Sequence, residues 1–223
     1  MQASKGYQIV NNWLLQQQLK PFPFQEQTWQ AILSGESGLV NAPTGCGKTY
    51  SVFLGALMQF INAHPTDWSK QKNNGLQLLW ITPLRALAKD IGRAMEEVID
   101  ALGMQWKVAI RNGDTSTADR AKQKKQMPEI LIITPESLQL LLTQKNYPTY
   151  FSSLKILAVD EWHELLGSKR GIQTELAISR LINCSGSLQV WGISATIGNL
   201  EEAKEVLLHP LKKNGVIIQA GLS

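Results

Sequence analysis

The chain has 223 residues, 43% of them hydrophobic and 18% charged, with a formal net charge of +4. That is enough chain for one large domain or two small ones around a real core, and the composition excludes a disordered or fibrous protein. Two cysteines, Cys46 and Cys184, exclude a disulfide framework and lack metal-ligand spacing, and no apolar run is long enough to span a bilayer. With no signal peptide at its start, the expectation is a soluble cytoplasmic protein with reduced thiols. The mild basicity permits a nucleic-acid partner without requiring one.

In chain order, Ile9, Val10, Trp13, Leu14 and Leu15 fall on one face and predict a helix from Gly6 to Lys20. Pro21-Phe22-Pro23-Phe24 breaks it. Residues 1–22 thus read as an N-terminal helical segment ahead of a core spanning 23–223. A second helix from about Gln25 to Leu33 leads to an apolar strand at Gly38-Leu39-Val40. Asn41-Ala42-Pro43-Thr44-Gly45-Cys46-Gly47-Lys48-Thr49 follows, and a helix from Tyr50 to Ile61 leaves it.

Strand, glycine-bearing loop ending Gly-Lys-Thr, then helix is the layout of a phosphate-binding P-loop. Gly45 and Gly47 allow backbone conformations that aim successive N–H groups at a phosphate. The helix adds its positive end. Lys48 can reach the β/γ-phosphates, and the Thr49 hydroxyl can ligate Mg²⁺. Pro43, Thr44 and Cys46 complete the loop.

Beyond it, His64 to Asn74 reads as an exposed loop, and strands and helices then alternate. Strands are expected at Leu76 to Ile81, Trp106 to Ile110, Ile130 to Ile133, Ile156 to Val159, Gln189 to Ile193 and Val216 to Gln219. Helices are expected at Leu84 to Leu102, Thr117 to Gln126, Ser137 to Thr143, Ile172 to Ile182 and Leu200 to Leu208. This alternation predicts an α/β fold with a mostly parallel sheet covered on both faces. Arg120, Lys122, Lys124 and Lys125 fit either a solvated helix face or a phosphate-binding surface.

Ile156-Leu157-Ala158-Val159 ends in two carboxylates, Asp160 and Glu161. Beside a P-loop, Asp160 can hold Mg²⁺ opposite Thr49, and Glu161 can polarise the attacking water. His163-Glu164 begins a zinc-protease pattern, but the required second histidine position is Gly167, so a zinc site is excluded. His163 is then expected to link the nucleotide site to another part of the fold.

Thr82-Pro83 and Thr134-Pro135 each follow a strand and read as helix starts, with Thr at N-cap and Pro at the first helical position. Such helix ends suit backbone phosphates, with Arg85 adding charge; helix capping alone also explains each junction. Ser194-Ala195-Thr196 ends a further strand, where small hydroxyl groups can hydrogen-bond Asp160 and His163 and relay nucleotide state.

Together these residues resemble the first motor domain of superfamily 2 helicases, a RecA-like P-loop NTPase domain. Phe24-Gln25 resembles the adenine-reading Q motif, Ala42 to Thr49 motif I, and Thr82 to Leu87 motif Ia. Gly113-Asp114-Thr115 and Thr134-Pro135-Glu136 resemble later nucleic-acid-contacting motifs. Asp160-Glu161-Trp162-His163 is a DExH box, and Ser194-Ala195-Thr196 resembles motif III. The finer resemblance is to Lhr-type, ligase-associated helicases, carried by Asp160 to Gly171 and Ser194 to Leu200. It implies ATP and Mg²⁺ as cofactors and 3′-to-5′ movement on single-stranded DNA in repair, with ligase-linked repair proteins as partners. It also places Lys169 and Arg170 near nucleic acid, though a solvated loop fits as well.

Such motors complete their site with an arginine from a second RecA-like domain, which nothing after Ser194 supplies. The chain is therefore expected to be a fragment that is weakly active or inactive alone. A stand-alone P-loop kinase or GTPase would show a lid or a base-reading motif, and neither is present. A non-catalytic nucleic-acid-binding module would have lost Lys48 or Glu161, and an RNA helicase is the remaining alternative.

Overall fold

The computed structural model describes residues 4–195 and 197–221. Seven strands form one sheet: β1 (Gly38–Asn41), β2 (Leu78–Ile81), β3 (Val108–Arg111), β4 (Ile130–Ile133), β5 (Ile156–Val159), β6 (Gln189–Ser194) and β7 (Val216–Gln219). Their order is β3-β4-β2-β5-β6-β1-β7, and every pairing is parallel. Each strand-to-strand crossover therefore passes over a face of the sheet, where helices cover it.

The central strands are apolar runs buried at every position because both faces are covered. Alternate residues point to opposite layers. Leu78, Trp80, Ile130, Ile132, Ile156 and Ala158 pack with α1 (Lys5–Gln16), α2 (Pro23–Leu33), α3 (Lys48–Ala63) and α4 (Arg85–Leu102). Leu79, Ile81, Leu131, Ile133, Leu157 and Val159 pack on the other side. There they meet α6 (Pro135–Leu142), α7 (Tyr147–Phe151), α8 (Trp162–Leu165), α9 (Lys169–Leu181) and α10 (Leu200–Leu208). The polar helix α5 (Thr117–Lys125) stands beside edge strand β3, and a 3₁₀ turn covers His209–Leu211.

Helix α1 shares the first core through Val10, Trp13 and Leu14. It approaches α3 so closely that a Cβ on Gly6 would enter the Met58 carbonyl oxygen, while the Gly6 N–H donates to Asn62 Oδ1 at 2.7 Å. Gly6→Ala is expected to push the helices apart and cost about 1–3 kcal/mol. Thermal unfolding should show a Tm lowered by about 2–4 °C per kcal/mol; an unchanged Tm would mean that α1 shifts freely.

Several boundaries differ from expectation for identifiable reasons. The first helix ends at Gln16, because Gln18 turns left-handed (φ 57) before Pro21. The second begins at Pro23, which occupies the first helical position that proline tolerates, and Gln25 closes its entry. The start expected at Thr82-Pro83 does not form: α4 opens at Arg85, and the Thr82 hydroxyl accepts from the Leu84 N–H at 3.3 Å within an extended entry. The start at Thr134-Pro135 does form, with Thr134 as N-cap accepting from the Ser137 N–H. Helices α7 and α8 were absent from the expectation, being too short to show a periodicity. The segment from His64 is a run of turns, and it is held at its end by Asn74, whose backbone N–H and side chain donate to buried Glu129.

Candidate functional site

Parallel strands bring all their carboxyl ends to one edge, and the motif segments leave from that edge. The phosphate loop follows β1 and Asp160 follows β5, with β6 between them. Two strand spacings put the loop and the acid about 10 Å apart, a gap that a lysine side chain and a polyphosphate can fill.

In the loop, Gly45 (φ 83) and Gly47 (φ 71) take the left-handed conformation expected of them, and Pro43 and Thr44 are exposed. Gly47 is the N-cap of α3, so the helix begins at Lys48. Lys48 is buried, and its Nζ has no hydrogen-bond partner. A buried ammonium without a partner is costly unless an anion meets it. Thr49 and Cys46 are half-buried beside it, and Cys46 is a free thiol.

The pair expected to read the base lies beneath the loop. Phe24 lies in the core, stacked on half-exposed Phe22 (centroids 6.0 Å apart). Gln25 accepts from the Phe22 N–H and donates from Nε2 to the Gly47 carbonyl, each at 2.9 Å. Its amide thus props the loop from below, and any Cβ on Gly47 would crowd it.

Asp160 is buried at the end of β5. Burial, and then the neighbouring Glu161 charge, push its carboxyl up to about 6, against the pull of Lys48. Glu161 sits at φ 50 and donates its N–H to Asp160 Oδ1 at 2.9 Å. A left-handed glutamate costs on the order of 1–3 kcal/mol, strain of the kind stored at functional sites.

His163 accepts from the Ala195 N–H at Nδ1 (3.2 Å), so its Nε2 carries the proton and faces Glu161 Oε2 at 3.3 Å. Among the described residues, the link from this strand end to His163 runs through the Ala195 backbone N–H. The Ser194 hydroxyl donates to the Ala195 carbonyl instead, and Thr196 lies outside the described residues. Asn41, missed in the sequence, donates its side-chain amide to that same carbonyl at 2.6 Å and so ties β1 to β6. Only the pairing of the two strands reveals it.

Farther along the edge, Arg85 lies against Gly113, where a Cβ would come within 3.0 Å of its guanidinium, and faces Asp114 at 3.8 Å. The Thr115 hydroxyl is spent inside its own turn, between the Asn112 N–H and the Ile110 carbonyl. Arg120 grips that turn from the far side, donating to the Thr115 and Asn112 carbonyls, whereas Lys122 and Lys125 are solvated. Arg170 reaches both the Pro83 carbonyl and Glu136, and Lys169 stays exposed.

Lys48 without a partner, the left-handed glycines and a carboxyl pushed up to about 6 by burial and by Glu161 all suit a magnesium–nucleotide complex. Among the described residues no group of three or more metal-binding side chains comes together, so Mg²⁺ would be held jointly with phosphate. No described helix is long and apolar enough to cross a membrane.

Residues 22–204 match the DEAD/DEAH box helicase family. The chain is 38% identical to the ATP-dependent helicase Lhr-Core protein 2 of Thermococcus barophilus over 77% of its own length and 21% of that protein's. It is 31% identical to the ATP-dependent helicase Lhr-Core of Methanothermobacter thermautotrophicus over 91% of this chain and 25% of that one. Among solved structures, Mycobacterium smegmatis helicase Lhr bound to ssDNA and AMP-PNP superposes with a TM-score of 0.84 at 29% identity, covering 99% of this chain and 28% of that one. The chain thus spans about a quarter of the length of these relatives. With its RecA-like sheet, its phosphate loop and its Asp160-Glu161-Trp162-His163 box, the chain belongs to the DEAD/DEAH box helicase family.

Proposed function

We propose that this chain is the ATP-binding first motor domain of an Lhr-type DNA helicase, acting 3′ to 5′ on single-stranded DNA in repair within the cytoplasm. The observation that carries the reading is the buried, unpartnered Lys48 ammonium across one sheet edge from Asp160 and Glu161. Pro43 to Thr49 cradle the phosphates, and Lys48 meets the β/γ-phosphates. Thr49 and Asp160 would hold Mg²⁺, Asp160 directly or through water, and the ion would supply positive charge beside the transferred phosphoryl group. Glu161 orients the attacking water, with His163 fixing its carboxylate. Phe24 and Gln25 support the loop beneath the base, and Ser194, Ala195 and Thr196 couple the two ligands.

The strand would cross Thr82, Pro83 and Arg85, the turn at Gly113, Asp114 and Thr115, and Thr134, Pro135 and Glu136, with Lys169 and Arg170 at its border. DNA rather than RNA is favoured by the likeness to helicases whose structures are described as bound to ssDNA or DNA. The motor core is taken as residues 23–223, preceded by the helical segment 1–22. Its partners are the strand, a second RecA-like domain of the same polypeptide and ligase-linked repair proteins.

Among the described residues no arginine is paired with the phosphate loop or its acids. The isolated chain is therefore expected to bind magnesium–ATP yet turn it over slowly, because the transferred charge has no arginine beside it. Phosphate release with and without oligothymidylate tests this, alongside a chain extended through a second motor domain. The extended chain should hydrolyse ATP faster by a factor on the order of 10³ and respond to DNA, and its Glu161→Gln variant should lose that rate while still binding nucleotide. Fast, DNA-stimulated turnover by the short chain alone would show its site to be self-sufficient.

A further inference from the structure

Arg170 is the second residue of α9, and its guanidinium reaches across the sheet edge. Nε lies 2.6 Å from Glu136 Oε1 and Nη2 3.3 Å from Oε2, and Nη2 also donates to the Pro83 carbonyl at 3.1 Å. Nη2 thus bonds a carboxylate and a backbone carbonyl at once, while Nε rests against the same carboxylate as an ion pair without a hydrogen bond, a rigid planar spread that a lysine ammonium does not reproduce. It joins three segments far apart in sequence: the approach to α4, the first turn of α6 and the start of α9. Burial works to raise the Glu136 carboxyl, and the Arg170 pairing overrides it, so the carboxyl stays below its usual range.

From Arg170 the chain runs back to the acids along a closely braced path. The Ser168 hydroxyl accepts from the Gly171 N–H at 3.1 Å and donates to the Leu165 carbonyl at 2.6 Å. Gly171 presses on that carbonyl so tightly that no Cβ fits. The Leu166 N–H bonds the Trp162 carbonyl, and the buried Trp162 indole donates to the Ala203 carbonyl at 2.8 Å. The Glu164 N–H closes on Glu161 itself.

We propose that Arg170 is a positioning residue, a clip that sets the spacing of the Pro83 segment and the first turn of α6 for one nucleic-acid strand and ties that spacing to the segment carrying Asp160 and Glu161. It rests on the reading of those two segments as strand-facing. Arg170 then acts through Pro83 and Glu136 without itself meeting a phosphate.

The test is binding of fluorescein-labelled oligothymidylate to this chain, followed by anisotropy across a salt series. Arg170→Ala, Glu136→Gln and the double variant should each weaken binding about tenfold, the double no more than either single, because one clip is broken in every case. The slopes of log affinity against log salt should stay parallel to the parent's. A slope shallower by about 0.7 in Arg170→Ala, with Glu136→Gln binding normally or tighter, would make Arg170 a direct phosphate ligand and overturn the proposal. Parent-like binding by Arg170→Ala overturns it too. Arg170→Lys should fail to restore binding, and rescue by that charge alone would also refute the clip.

Amide hydrogen exchange of nucleic-acid-free Arg170→Ala supplies a readout independent of binding. Exchange should rise at residues 82–85 and 136–138 and stay slow at 178–181. An unchanged pattern would show that the clip holds nothing. If the parent chain binds no oligonucleotide, the strand-facing reading itself falls, and exchange alone then shows whether the clip still orders these segments.

Discussion

Replacing Lys48 with methionine is expected to stabilise the nucleotide-free chain at pH 5 and to abolish its stabilisation by magnesium–ATP. The Lys48 Nζ is buried without a hydrogen-bond partner, and an unmet polar group of that kind costs about 1–3 kcal/mol, more when charged. Methionine fills a similar volume without a polar head, so much of that cost should be recovered. One charge opposes this: Lys48 pulls the Asp160 carboxyl down, so it does favour the ionised acid. At pH 5 that acid is mostly protonated and loses nothing when the ammonium goes. At pH 8 it is ionised, and the gain should shrink. For a domain of this size each kcal/mol moves Tm by about 2–4 °C, so calorimetry should find a rise of several degrees at pH 5 and less at pH 8. A ligand at a hundred times its Kd adds about 2.7 kcal/mol, and Lys48→Met should lose that increment entirely. A less stable variant at pH 5 would mean that the ammonium has a partner. A surviving ATP-dependent shift would mean that the backbone alone holds the phosphates.

The two properties separate because the P-loop trades stability for readiness. The same trade decides what could be read from the sequence. Strands at Ile130–Ile133, Ile156–Val159 and Val216–Gln219 and the helix at Leu200–Leu208 fall where expected, since each is a short patterned run between polar or turn residues. The phosphate loop was legible because each position has its own chemical reason. The reach of long side chains was not. Arg170 and Glu136 look like two independent surface charges until the β2–β4 pairing brings Pro83 and Glu136 to one edge. Thr82 and Thr134 have the same local sequence, yet only Thr134 caps a helix: Leu84 and not Pro83 precedes the first turn of α4. Among the described residues His163 meets the Ala195 backbone N–H, a donor that any residue at position 195 except proline would supply. Function at this edge is partly carried by main-chain atoms, on which sequence is silent.

Asp160 should make nucleotide binding and folding respond to pH in opposite directions. Its carboxyl titrates near 6 in the folded chain against an ordinary value of 3.8. The folded state therefore holds the proton more tightly than the unfolded one, and the nucleotide-free chain gains stability from this group as pH falls from about 6 toward 4. That contribution is present in full only below the ordinary value and is lost as pH rises through the folded one. A shift of about two units corresponds to roughly 3 kcal/mol, an order-of-magnitude figure for a buried group. In the proposed site magnesium–nucleotide would need the ionised carboxylate, so binding should expel the proton. Below pH 6 affinity should fall about tenfold per unit, and calorimetry in buffers of different ionisation enthalpy should find close to one proton released per complex. Above pH 7 affinity should level off. In Asp160→Asn the group cannot titrate: this contribution to the stability profile should vanish between pH 4 and 7, and binding should be weak throughout. Phosphate oxygens titrate in the same range, so the difference between the two proteins isolates the carboxyl. Parallel profiles would place the titration elsewhere. Diverging ones would make Asp160 the group through which proton and magnesium compete for this site.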